Sequence, residues 1–144
     1  MGNRAVITTK AHEIGVYVHW NGGRDSINGF LAYCRMMDFR EPEKDSYGWA
    51  RLVQVIANFF GGDGLGVGID RYSELDADNG DNGVYVIEGW NIVAREYFEA
   101  GCEQTSYELG EFLRALNERQ PGFMQATQEE IDRFLQEHGH EYIR

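Results

Sequence analysis

The stretch Asp76-Ala77-Asp78-Asn79-Gly80-Asp81-Asn82-Gly83 has the oxygen-rich, glycine-bent composition that hard cations favour, and Asp76, Asp78 and Asp81 are the carboxylates a calcium ion would use. Counted from Asp76, an EF-hand loop wants an oxygen ligand at its fifth position, glycine at its sixth and glutamate at its twelfth. The chain has Gly80, Asp81 and Ile87 there. The flanks read as strand and hairpin rather than helix, so a polar loop entering a hairpin is the simpler reading. The glycine-rich run Gly61–Gly68 has the composition of a phosphate cradle. It follows a helix and leads into a strand, however, whereas a phosphate loop needs a helix N-terminus directly after its glycines, and it lacks a Walker lysine and GxGxxG spacing.

His12, His19, His138 and His140 contain no pair at HExxH spacing, and His138 continues a helical stripe. His19, Trp20 and Asn21 stand together at a strand end, where loops often hold sites. With Tyr47 and Trp49 at the start of the following helix they could line a small-ligand pocket, for example for a nucleotide signal, although core packing and turn formation explain the aromatics equally well. Cys34 and Cys102 have no activating partner nearby in sequence. The sequence shows no paired acid and base, metal set or activated nucleophile. The expectation is a protein that is not an enzyme and needs no cofactor.

The elements that must position these residues follow from periodicity. Arg4–Thr9 and Ile14–Trp20 are β-rich and flank a polar turn; in the second, Ile14, Val16, Val18 and Trp20 share one face. Asp25 or Ser26 can cap a helix with the stripe Ile27, Phe30, Leu31 and Cys34. Asp45-Ser46 opens a second, with the stripe Trp49, Leu52, Val53, Ile56, Phe59 and Phe60 and Gly61-Gly62 as its stop. Leu65–Ile69 alternates large side chains with glycine, as a strand does where a backbone or ring comes close. Val84–Ile87 and Trp90–Glu96, joined at Glu88-Gly89, form the clearest hairpin. Thr105-x-x-Glu108 and Thr127-x-x-Glu130 are capping boxes, each opening an amphipathic helix. The order ββ αα β ββ αα predicts an α+β fold over residues 1–144 as a single domain, an antiparallel sheet of hairpins with helix pairs packed on one face.

The chain has 144 residues, enough for one core, and no apolar run approaches the ~18 residues of a membrane span. No export signal is expected, and two distant cysteines suit a reducing cytoplasm, so the expected location is cytoplasmic. Its 13 Lys and Arg against 24 Asp and Glu leave a net charge of −11, which argues against direct nucleic-acid binding through a basic face. Residues 1–72 are neutral, with 8 bases and 8 acids, and the whole excess lies in residues 73–144. It is densest where Glu74, Asp76, Asp78, Asp81, Glu88, Glu96, Glu99 and Glu103 face the single base Arg95. A solubilising surface accounts for such charge in general; its concentration in one half points to a partner.

Gly15-Val16-Tyr17-Val18-His19-Trp20-Asn21-Gly22-Gly23, Tyr47-Gly48-Trp49-Ala50-Arg51-Leu52 and Asp78–Trp90 resemble segments of uncharacterised small acidic proteins of bacterial prophages and conjugative elements. The resemblance spans about residues 4–97 and assigns no catalytic residues. It implies a bacterial host cell and an inhibitor of host defence, anti-CRISPR or anti-restriction, that imitates DNA. The eight acidic residues from Glu74 to Glu103 are then expected to meet the basic nucleic-acid-binding groove of a host protein, without contacting nucleic acid or membrane. The alternatives are the small-ligand module at His19, Trp20, Asn21, Tyr47 and Trp49, and a calcium site at Asp76, Asp78 and Asp81.

Overall fold

A computed structural model of the chain describes residues 2–61, 66–99, 103 and 107–142. The hairpin expected at the start is β1 (Ala5–Thr9) against β2 (Ile14–Val18), antiparallel with Ile7 opposite Val16. Two helices follow, α1 (Arg24–Met36) and α2 (Ser46–Phe60), then β3 (Val67–Arg71), the hairpin β4 (Val84–Glu88) and β5 (Asn91–Glu96), and finally α3 (Leu109–Arg119) and α4 (Gln128–His138). The α+β class and the order of elements are those expected.

The sheet, in the order β3-β2-β1-β4-β5, is mixed and not antiparallel throughout: β1 and β4, its central neighbours, run parallel, with Ile7 beside Tyr85. A parallel pair needs a crossover of about a dozen residues. Residues 72–83 supply its last leg, leaving the edge strand β3 and returning across the sheet to β4. Tyr72, Leu75 and Ala77 on this leg pack on Val6, Val84, Val86 and Tyr17, closing a small second core. The large core lies on the opposite face, where Ala5, Ile7, Val16, Val18, Tyr85 and Ile87 meet buried side chains from all four helices.

Local chemistry explains most boundaries. Asp45 caps α2 by accepting the Tyr47 backbone N–H at 2.9 Å, and Gly61, at φ 69°, ends the helix in a conformation costly for other residues. Thr127 and Glu130 form the expected reciprocal capping box. Two starts differ from expectation. The N-cap of α1 is Gly23 rather than Asp25 or Ser26, and it makes no side-chain cap. The helix α3 begins from Glu108, whose carboxylate accepts from the N–H groups of Gly110 and Glu111; the partner expected at Thr105 lies outside the described residues, as do Leu65, Gly62 and Cys102. The glycine face of β3 also divides. A Cβ at Gly66 would press on the rings of Trp20 and Phe60, whereas at Gly68 it would meet open space. Helices α1 and α3 pack closely because Gly29 leaves room for the Phe112 ring, which stacks edge-on with Phe30 at 5.6 Å.

Candidate functional site

The eight nominated carboxylates separate into two groups. On the crossover, exposure alternates: Glu74, Asp76 and Asp78 are exposed, while Leu75 and Ala77 are half-buried and Asn79 is buried. Leu75 and Ala77 hold the segment to the sheet, so the three carboxylates face solvent in a row on a fixed backing. Glu99 is exposed as well. The other four are held in ion pairs, at the surface for Glu88 and partly buried for the rest, and exposed Asp76 also lies 3.7 Å from Arg4. Asp81 accepts the Arg4 Nε–H at 2.8 Å and the Arg4 backbone N–H at 3.0 Å, and the guanidinium followed by the backbone bond holds its carboxyl below the usual range. Glu88 pairs with Lys10 at 3.3 Å and Glu96 with His12 at 3.0 Å. Glu103 takes both Arg24 and Arg95. Arg95 lies between the rings of Tyr85 and Phe98, 3.8 and 3.7 Å from their centroids.

The Asp76–Gly83 loop is organised by an amide. Asn79 donates through Nδ2 to the carbonyls of Asp76 and Gly83 and accepts at Oδ1 from the N–H groups of Asp81 and Gly83. Asn82 donates to Asn3 Oδ1 and to the Arg4 carbonyl, pinning the loop to the start of β1. Of the three carboxylates considered for calcium, Asp81 and Asp76 share the Arg4 guanidinium, at 2.8 and 3.7 Å. Among the described residues no group of three acidic, histidine or cysteine side chains is placed to hold a metal ion. The aspartates give this loop its cation-site composition, but the asparagines beside them carry its structure, and their side-chain bonds to residues 3, 4 and 76 are not visible from composition.

The nominated small-ligand residues stand at opposite ends of α2. His19 and Trp20 lie beside Gly66, which the Phe60 ring also touches, at the C-terminal end. Tyr47 and Trp49 lie in the first turn, about 20 Å away at 1.5 Å per residue. Each has a local role instead. His19 Nδ1 is 2.8 Å from the Tyr17 hydroxyl, Asn21 donates to Ser26 Oγ at the entry to α1, and buried Trp49 lines a shallow cleft with Thr9, Ala11 and Pro42. Tyr47 belongs to a different cleft, with Arg40, Arg51 and Phe123, which come together only in the folded chain.

His12 joins three elements. It adopts φ 53° in the β1–β2 turn, its Nδ1 is 2.8 Å from the Lys10 carbonyl, its Nε2 faces Glu96 on β5, and its ring meets Tyr72 edge-on. Each ring nitrogen thus faces an oxygen acceptor, an arrangement that favours the protonated ring. The Lys10 carbonyl and then Glu96 raise its pKa. No known protein family, curated protein or solved structure matches this chain. Among the described residues no helix is long and apolar enough to cross a membrane.

Proposed function

We propose that this chain is a non-enzymatic, acidic interaction protein of a mobile element. It acts in the cytoplasm of a bacterial host by occupying the basic nucleic-acid-binding groove of a defence complex, as an anti-CRISPR or anti-restriction DNA mimic. It binds neither nucleic acid nor membrane itself. The supporting observation is the outward row of Glu74, Asp76 and Asp78 on a crossover whose alternate residues are seated on the sheet. A groove built for DNA is lined with Arg and Lys to match a closely spaced row of phosphates. Carboxylates held on a packed backing meet that field with little ordering cost on binding. Asp81 and Glu103 act indirectly, since Asp81 fastens the crossover to Arg4 and Glu103 ties Arg24 to Arg95.

The test is retention of a nucleic-acid-binding protein from bacterial lysate at low and high salt, with identification of the retained protein and a titration of the purified pair. Joint reversal of Glu74, Asp76 and Asp78 to Lys is expected to abolish retention with the fold intact, and wild-type affinity is expected to fall steeply with salt. Salt-independent binding, or equal binding by the reversed triple variant, refutes the reading.

A further inference from the structure

We infer that the helix layer carries a second docking surface, of opposite character, that takes an acidic segment of a partner protein through an apolar anchor residue. A cleft of about 470 Å³ opens where the end of α1 meets the first turns of α2 and the 3-10 turn Gly122–Met124. Its lining includes Asp38, Phe39, Arg40, Tyr47, Arg51 and Phe123, two cations against one carboxylate. It lies across the sheet from the row of carboxylates, and it stands whether or not that row engages a nucleic-acid-binding groove.

The apolar part of the surface is held open to solvent by a rigid support. Phe123 is 83 % exposed and Tyr47 60 %. Yet Met124, next to Phe123, is buried, its N–H donates to the Pro121 carbonyl at 2.8 Å, and its carbonyl accepts from the buried Tyr33 hydroxyl at 2.7 Å. A large aromatic side chain kept in water by an anchored turn forgoes burial that a more pliable turn would allow. Aromatic, Met and Arg side chains together are the composition of interface centres.

Charge names the partner. The Arg40 guanidinium lies 5.4 Å from the Tyr47 ring centroid and Arg51 5.8 Å from that of Phe39, so both cations are steadied beside apolar surface. Arg40 is paired with Asp45 at 2.7 Å. Arg51 has only the neutral Gln54 as a hydrogen-bond partner and, among the described residues, makes no ion pair, in a chain whose acids outnumber its bases by 24 to 13. The cleft therefore pairs an exposed apolar floor with an unneutralised guanidinium, which suits an Asp or Glu flanking a Leu, Phe or Trp. A nucleotide fits less well. The first turn of α2 is the natural seat for phosphate, but the Asp45 carboxylate already caps it.

Two fluorescein-labelled peptides with the same Leu-Trp-Leu core, one flanked by Glu and one by Lys, are titrated with the full-length protein and read by anisotropy, with amide chemical shifts locating the contact. The Glu-flanked peptide is expected to bind at least about tenfold more tightly, with shifts confined to the end of α1, the start of α2 and residues 122–124. Arg51→Glu is expected to reverse the preference, and Phe123→Ser to weaken binding about tenfold without lowering the melting temperature. Equal affinities, no binding of the Glu-flanked peptide, or shifts elsewhere overturn the proposal. So does AMP binding in this cleft while the peptides stay silent, which assigns a nucleotide site. Self-association by light scattering that Phe123→Ser removes, with no peptide binding, assigns the cleft to a second copy and also overturns it.

Discussion

Replacing Tyr33 by Phe removes one oxygen from the centre of the helix layer. Tyr33 is fully buried, and its hydroxyl lies 2.7 Å from the Met124 carbonyl and 2.9 Å from Asn117 Oδ1. The single proton serves one acceptor at a time. Asn117 Oδ1 keeps the Ala126 N–H at 2.8 Å after the substitution, so the group stranded is the Met124 carbonyl. Orphaning a buried carbonyl costs about 1–3 kcal/mol, and the volume is otherwise conserved, so the expected loss is about 2 kcal/mol. With an unfolding entropy of about 2.1 cal/mol/K per residue, this chain should melt about 6–7 °C lower. Thermal melting and urea denaturation check the value, and the urea slope should not change because the surface exposed on unfolding is the same. Amide exchange should accelerate first at Met124 and Gln125, whose N–H groups close the turn carrying Phe123. Tyr47→Phe removes a mostly exposed hydroxyl and should change stability by less than about 0.5 kcal/mol. A melting temperature for Tyr33→Phe within about 1 °C of wild type refutes the reasoning.

Three further outcomes are expected. Asn79→Asp keeps both acceptor bonds but sets a carboxylate against the Asp76 and Gly83 carbonyls, and should cost about 2–3 kcal/mol by thermal melting. The melting temperature of the wild-type protein should not respond to calcium, because Arg4 already bridges Asp81 and Asp76; melting with calcium and with chelator checks this. For His12 the folded pKa is raised above the ordinary 6.5, so its stabilisation is complete below that value and is lost as pH rises through the folded pKa. With both partners about one-third exposed the loss should be under about 1 kcal/mol, and His12→Gln should flatten that part of the stability-against-pH curve.

Much of the fold is legible in the sequence where a boundary depends on a few adjacent residues. Asp45 beside the Tyr47 amide, Gly61 beyond the last turn of α2 and the Thr127–Glu130 box act over four residues or fewer, and alternation alone orients β2. The parallel pairing of β1 with β4 is not local: Ile7 and Tyr85 become neighbours only after the crossover returns across the sheet. The same limit applies to the candidate site. Acidity concentrated after residue 73 is a property of the sequence, and so is the two-residue spacing of Glu74, Asp76 and Asp78. Which carboxylates stay free is decided by tertiary structure, because an ion pair requires contact within about 4 Å. Folding brings Arg4 to Asp81 across 77 positions and Arg24 to Glu103 across 79, which turns two nominated binding residues into internal fasteners. The cleft around Tyr47 has the same origin, since its arginines and aromatics come from three segments that meet only when the helices pack.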